Sequence, residues 1–502
     1  MAGENIVGID LGTTYCSIAR LTDEGKRAVL IENEDNQVAT PSVVYIGEDG
    51  VIVGEKADRL GDIYPERMIR NPKRYLGSDR SWRIDGTKYT PVQASSFILR
   101  KLKSDAEQRI GRIDRAVVSV PAHFDSHRRD LTLESAERAG LKVLDLINEP
   151  VAAALSHVYD PDVGLDYEAL LWDTDLVFSV YDLGGGTFDL SIVKYSGSQL
   201  QVLATTGDLI LGGIDWNDQL AAHIVERVRK EHNVDLADAE HEAEYHQLLR
   251  NVEKAKRDLS DTAVFGPDDE VGVAASCNGK YFTYPVTRSL FEQITRDLVS
   301  RTKQLTTRLL KSHGGGKVSE IVVVGGASQM PMIANMLKSL PGIDTNRNLS
   351  PELSVAMGTA YYAGQIIGAR GNRSLEIQNV CAHSLGVVVR NAAGEFVNHE
   401  LIAANTQLPA TARVTVKMWR DNQRRISFKL LQGDEQYEEG KPVLCKCTLE
   451  NLPKGLSRKE KFDVDVNYDK SGRLQIVARH RHSGLLATVN HSMVDVPLVA
   501  NG

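Results

Sequence analysis

One short device, used twice, constrains this chain more than any other feature. An apolar strand runs into Asp-Leu, then glycine and threonine, and the chain leaves through a second apolar strand. In the first copy, Ile6-Val7-Gly8-Ile9 enters Asp10-Leu11-Gly12-Thr13-Thr14-Tyr15. In the second, Phe178-Ser179-Val180-Tyr181 enters Asp182-Leu183-Gly184-Gly185-Gly186-Thr187-Phe188-Asp189 and leaves through Leu190-Ser191-Ile192-Val193. Glycine lets such a turn close tightly and aims successive N–H groups and hydroxyls at an anion. An aspartate at the strand end suits a hydrated cation. Either turn alone could be an ordinary hairpin. Two of them suggest duplicated lobes whose turns converge on one polyphosphate. A third turn, Val324-Gly325-Gly326-Ala327, offers bare backbone after another apolar strand. A fourth, Leu211-Gly212-Gly213-Ile214-Asp215, opens a helix, whose first N–H groups favour an anion. No G-x-x-x-x-G-K-[ST] occurs, which excludes a P-loop fold, and no G-x-G-x-x-G stands between a strand and a helix, which excludes a Rossmann fold.

The 502 residues are too many for one core and suggest about three units at roughly 150 residues each. Residues 1–370 alternate strand-length apolar runs with amphipathic stretches, an α/β pattern. Strands are expected at Ile6–Asp10, Ala116–Val120, Phe178–Asp182, Leu190–Tyr195 and Ile321–Val324, and helices at Ala94–Ile110, His127–Ala139, Asp215–His232 and Glu242–Leu259. The polar stretch Ala369–Ser374 opens a linker at 371–382. Helical periodicity then nearly vanishes. Residues 383–497 read as short antiparallel strands with turns at NAAGE, RDNQ, DKSG and HSG, followed by a short tail at 498–502.

With 59 basic and 67 acidic residues the chain carries −8, so its bulk charge points to neither nucleic acid nor an anionic membrane. The N-terminus MAGENIVGIDLG has neither a basic nor an apolar leader segment, so a cytoplasmic location is expected. Cys16, Cys277, Cys381, Cys445 and Cys447 are scattered and read as reduced packing residues, with a metal or redox role as the alternative. The run Arg479-His480-Arg481-His482 reads as a solvated hairpin edge rather than a nucleic-acid contact.

The segments GIDLGTTYCSIA, NPKRYLG, VVSVPAHF, INEPVAAAL, YDLGGGTFDLSIV, GDLILGGIDWN, VEKAKRDLS and VVVGGASQMP resemble, in order, the signature segments of the heat shock protein 70 (DnaK-like) chaperone family. LIAANTQLP, ISFKLLQG and VNYDKSGRLQIVARHRHSG extend the resemblance into the second unit. It implies an α/β actin-like ATPase of two RNase H-like lobes, followed by an antiparallel β-sandwich that binds peptide. ATP or ADP with Mg2+, and K+ as a further candidate cation, would be the cofactors.

Carried over residue by residue, Asp10, Asp182 and Asp189 would surround Mg2+ through water. Gly12, Thr13, Thr14 and Tyr15, Gly184 to Thr187, Gly212 and Gly213 would hold the phosphates. Lys73 would be the catalytic lysine, and Glu149 would position metal-bound water. Taken alone, a lysine is a solvated surface group and Glu149 a helix-start carboxylate. Glu253, Lys256, Arg257 and Ser260, at i, i+3, i+4 and i+7, share one helix face and would line the adenosine pocket with Gly325, Gly326, Gln329 and Glu352. Pro121 and Arg129 would couple nucleotide state to the second unit, although Pro121 could simply end a strand. Val387, Val416, Trp419, Ile426, Phe428 and Phe462 would line the peptide pocket, although alternating apolar residues of a β-domain are also ordinary core. Partners would be extended client peptides, a dedicated J-domain co-chaperone and a nucleotide exchange factor, with the chain itself monomeric.

Several positions depart from the family pattern. Ala327 and Gln329 stand where serine and arginine are usual, and Glu352 where aspartate is usual, which predicts weaker nucleotide affinity. Asp145 stands where an arginine would engage a J-domain. The segment Ser374–Val380 is less apolar than expected, predicting less surface buried on docking and weaker or partner-specific coupling. Arg390 and Trp419 stand in the peptide arch. The sequence ends near where lid helices would begin, so a lidless member with fast peptide exchange is expected. Two other readings share the phosphate turns: an actin-like small-molecule kinase, which leaves the β-domain unexplained, and a nucleotide-binding scaffold without turnover.

Overall fold

The computed structural model describes residues 5–493 apart from 23–26, 62, 160–174, 198, 315–317, 341–343, 348–350, 369–374, 392 and 434–442. The start of the expected linker and the tail at 498–502 lie outside the described residues.

Two six-stranded sheets carry the first part of the chain, and they share one pairing plan. In the first, Lys142–Asn148, Ile113–Val120 and Asn5–Asp10 run parallel, and Tyr15–Leu21 and Ala28–Leu30 continue the sheet antiparallel. In the second, Asp344–Arg347, Glu320–Val324 and Leu176–Leu183 run parallel, followed antiparallel by Phe188–Ser196 and Gln199–Asp208. Each Asp-Leu-Gly-Thr turn occupies the same place in its own sheet, at the bend from the central parallel strand to its antiparallel neighbour. The duplication read from the sequence is therefore a duplication of topology.

Local sequence sets the helix starts. The helix Pro91–Ile110 begins three residues before the expected Ala94, because Thr90 accepts from Gln93 N–H, the Gln93 side chain returns to Thr90 N–H, and Pro91 fits the first turn. Asp125 caps Ser126–Arg138 through Arg128 N–H at 2.7 Å. Gly213–His232 and Glu242–Ser260 match the expected pair closely.

Between the sheets lie Glu149–Tyr159 and Ser354–Ile366, buried among Val117, Val180 and Val322. The crossing is tight. A Cβ on Gly358 would lie within 2.9 Å of Ala152 Cα, and one on Gly8 within 2.7 Å of Ala360 Cα, so these contacts admit only hydrogen. Among the described residues no helix is long and apolar enough to cross a membrane.

The second part is an eight-stranded antiparallel path: Phe396–Ile402, Leu385–Arg390, Ile426–Gln432, Cys445–Glu450, Leu486–Met493, Leu474–His480, Lys461–Tyr468, Ala410–Lys417. Alternation is clean in Lys461–Tyr468, where every second residue is buried. The five cysteines are buried and unbridged; Cys445 and Cys447 point to one face with sulfurs 3.5 Å apart.

The polar linker docks despite its composition. Glu376–Gln378 adds a sixth, parallel strand to the second sheet, pairing Gln199 with Glu376, Leu200 with Ile377 and Gln201 with Gln378. Strand addition uses main-chain hydrogen bonds, which do not depend on apolar side chains. Leu375 and Val380 are the buried apolar residues at its two ends.

Candidate functional site

Four turns that lie far apart in sequence interlock. A Cβ on Gly186 would come within 2.6 Å of Thr13 Cγ2, and one on Gly185 within 2.5 Å of Thr14 Oγ1. The Gly212 turn seats on the same glycines: Gly213 N–H donates to Gly184 O at 2.9 Å and Ile214 N–H to Gly185 O at 2.8 Å. Gly325, at φ +83°, has Leu183 carbonyl carbon within 2.5 Å of its missing Cβ. Gly12, Thr13, Thr14, Gly184, Gly185, Gly186, Gly212, Gly213, Gly325 and Gly326 therefore border one place.

Charged groups collect beneath these turns. Lys73 is buried, held by the one-turn helix Pro72–Tyr75, and its Nζ lies 2.5 Å from Glu149 Oε1, which is also buried. Asp182 and Asp189 are buried at the two ends of their turn, paired across the strands. Asp10 accepts from Ser119 Oγ at 2.7 Å. Thr187 is half-buried, with its carbonyl accepting from Gly184 N–H. Glu149, Asp10 and Asp182 thus act on one lysine, and Asp189 adds a fourth buried carboxylate.

The electrostatics follow from that imbalance. Burial raises the Glu149 carboxyl to about 7, against the pull of Lys73 and with Asp10 adding to the rise. Burial likewise lifts Asp182 well above the ordinary range, with Glu149, Asp189 and Asp10 reinforcing it. Asp10 is raised by burial, with Lys73 and Ser119 opposing. Burial works against the Lys73 charge, but Glu149 and Asp10 outweigh it and its pKa is raised. Buried carboxylates in excess of their cation are suited to a hard, oxygen-ligated divalent ion, which would take the place of the missing positive charge.

The four predicted adenosine residues do share a face of Glu242–Ser260. Lys256 Nζ reaches Gly213 O at 3.0 Å and Glu253 at 2.7 Å. Arg257 bonds Glu253 and the Tyr15 hydroxyl, the latter at 2.9 Å, closing one sheet's turn against the other's helix. Against burial, Lys256, Asn217 and Arg257 hold Glu253 down to about 2. Ser260 donates within its own helix to Lys256 O at 2.7 Å. The two departures Gln329 and Glu352 prove to be partners: Gln329 Nε2 donates to Glu352 at 2.7 Å.

A path leads from this cluster to the β-domain. Pro121 is buried and accepts from Phe124 N–H. Arg129, buried, donates to Phe124 O, Ala122 O and Asn148 Oδ1 at 3.0, 3.2 and 2.9 Å. Sequence reasoning missed His123 between them. Its ring and N–H both meet Asp189 at 3.3 Å, while its carbonyl meets His383 Nε2 at 3.0 Å. It also missed Asn405, which accepts from Thr205 N–H at 2.8 Å, and Ser126, which accepts from Leu474 N–H at 2.9 Å. Asp145 accepts from Ser471 Oγ at 2.6 Å and from Tyr362 OH at 2.7 Å, so the reversed charge serves the docked interface.

The predicted peptide residues divide. Val387, Ile426, Phe428 and Phe462 sit together in the β-domain core, with Val416 packed against them. Trp419 stands 76% exposed. Arg390 lies over the Phe396 ring at 4.5 Å.

Comparison with known proteins agrees with this architecture along nearly the whole chain. A family model described as Hsp70 protein matches residues 6–494. The chain is 35% identical over 491 residues to the chaperone protein DnaK of Thermotoga petrophila, covering 96% of this chain and 79% of that one. The DnaK of Thermotoga neapolitana is 34% identical over the same length and the same shares. This chain, with its interlocked glycine turns and its docked β-domain, belongs to the Hsp70 family.

Proposed function

We propose that the protein is an ATP-dependent molecular chaperone, in which ATP hydrolysis controls binding and release of extended apolar segments of client proteins. The observation that carries this reading is the joining of two features. Four glycine turns close around a buried Lys73–carboxylate cluster, and that cluster is hydrogen-bonded through Asp189 and His123 to the β-domain. A small-molecule kinase has no use for the second feature.

On this reading residues 1–370 form an actin-like ATPase of two RNase H-like lobes, 371–382 the linker, and 383–497 a β-sandwich that binds substrate. Bound Mg2+ would neutralise phosphate charge. Asp10, Asp182 and Asp189 would hold it through water. Lys73 would place its ammonium beside the terminal phosphate, where developing charge is stabilised by a preorganised cation. Glu149 keeps that lysine in place and, with Thr187, would orient the attacking water. Thr13 and Thr14 would bind phosphate oxygens, and the Glu253–Ser260 face with Gln329 and Glu352 the nucleoside. Pro121 and Arg129 would transmit the nucleotide state through the His123 segment. Phe428, Phe462 and their neighbours would accept an apolar side chain once the β-domain opens, with Trp419 at the rim. A cytoplasmic, monomeric protein served by its own J-domain partner completes the proposal.

Single-turnover ATP hydrolysis by wild type and Thr187→Ala, with fluorescent-peptide binding measured with and without ATP, tests it. Hydrolysis should fall at least about a hundredfold in the variant. Peptide should leave faster with ATP. Peptide binding indifferent to ATP would overturn the chaperone cycle.

A further inference from the structure

The hairpin edge around RHRH is not simply a solvated surface. His480, at the end of Leu474–His480, is buried, and its Nε2 lies 2.9 Å from Glu460 Oε2. His482, two residues on in the turn, brings Nδ1 to within 3.4 Å of the same oxygen. Among the described residues these three side chains place their ligand atoms all within 4.8 Å of one another. Arg481 between them turns away and pairs with Asp463, leaving Glu460 to the two imidazoles.

We propose that Glu460, His480 and His482 bind one divalent transition-metal ion of the Zn2+ type. Two imidazole nitrogens and a carboxylate form a borderline donor set that favours Zn2+, Co2+, Ni2+ or Cu2+ over Mg2+ and Ca2+. Tetrahedral Zn2+ with bonds of about 2.0–2.1 Å needs ligand atoms roughly 3.3 Å apart. The two separations already present, 2.9 and 3.4 Å, bracket that value. The outer shell is in place as well. Ser483 Oγ meets His480 Nδ1 at 2.7 Å, which fixes the ring and leaves Nε2 for the ion. Main-chain bonds from His480 N–H to Leu485 O and Arg481 N–H to Lys461 O hold the hairpin's shape. A fourth position remains for water.

The ion would tie the hairpin turn to the segment preceding Lys461–Tyr468. Glu460 O accepts from Met418 N–H, beside Trp419, and the Phe462 ring lies 5.1 Å from His480. Metal would therefore stiffen the margin of the candidate peptide pocket. The site itself does not depend on ATP turnover.

Chelator-stripped, untagged full-length protein is titrated with Co2+, with Mg2+ in excess to occupy the oxygen-lined cluster, and visible absorption reads the site. Wild type should take up one equivalent with low-coordinate bands that Zn2+ displaces. His482→Ala, which alters an exposed side chain, and Glu460→Gln should each weaken binding by more than about tenfold, the loss that even outer-shell changes cause. His241→Ala, at the separate Cys277 contact, should bind as wild type does. Zn2+ should raise the urea midpoint of wild type but not of His482→Ala. No Co2+ uptake by wild type, or equal uptake by His482→Ala and Glu460→Gln, would overturn the proposal.

Discussion

Replacing Glu149 by glutamine changes the one charge in the cleft whose effect on stability can be sized. Burial moves its carboxyl from the ordinary 4.5 to about 7. Below about pH 4.5 the group is protonated in both the folded and the unfolded chain, and the folded state carries no penalty. Between there and about pH 7 the unfolded chain releases the proton while the folded protein keeps it. Stability therefore falls by about 1.4 kcal/mol per pH unit across that window and levels off above it. The whole loss is on the order of 3 kcal/mol, a large share of a typical domain's stability. Urea unfolding of nucleotide-free, chelator-treated protein at about pH 5 and about pH 8 measures it, with wild type set against Glu149→Gln, which removes this titration together with the shifts that Glu149 imposes on Asp182 and Lys73. Wild type should lose on the order of 3 kcal/mol more than the variant. Mg2+ and ADP should shrink the difference, because the cation replaces the proton. Equal pH slopes in the two proteins would refute the reasoning.

Three further outcomes are expected. Gly212→Ala places a Cβ within 2.6 Å of the Gly185 carbonyl carbon and should weaken ATP binding by more than about tenfold, or 1.4 kcal/mol, in calorimetry, with unchanged circular dichroism; undiminished affinity would mean that the turns do not share a ligand. Gln329→Arg should tighten ATP binding by about 1 kcal/mol through stacking on the base, with Glu352 holding the guanidinium; calorimetry showing no gain would sink the expectation of weakened affinity. Ser471→Ala removes the hydroxyl donor to Asp145 and should loosen β-domain docking by about 1 kcal/mol, read as faster proteolysis near 369–374; an unchanged cleavage rate would show that the contact carries no docking energy.

Much of the candidate nucleotide site was legible because its signals are local. A strand, an aspartate and a glycine–threonine turn are contiguous, so Asp10 to Tyr15 and Asp182 to Asp189 declared themselves. Helical spacing put Glu253, Lys256, Arg257 and Ser260 on one face, and only the family resemblance gave that face a proposed role. The interdomain contacts were not, because each half is unremarkable alone. His123 reads as a lone histidine until Asp189, 66 positions away, and His383, 260 away, are seen against it. Asp145 and Ser471 are separated by 326 positions. In the β-domain, alternation identified Phe428 and Phe462 as inward-facing, but period-two burial is the same for a core and for a pocket wall. The linker strand was not legible, because its polarity says nothing about main-chain pairing.

That linker strand has a further consequence. Glu376–Gln378 covers part of the rim of the second sheet, where Gln199–Gln201 would otherwise present unpaired N–H and C=O groups. An uncovered rim is a template for any extended chain, including another copy of this protein. Three paired residues are enough to occupy that part of the rim and few enough to peel away without disturbing the strands behind it. Each release of the β-domain would therefore bare a self-association surface, and each return would close it. The segment that joins the two parts thus also caps a short stretch of sheet edge.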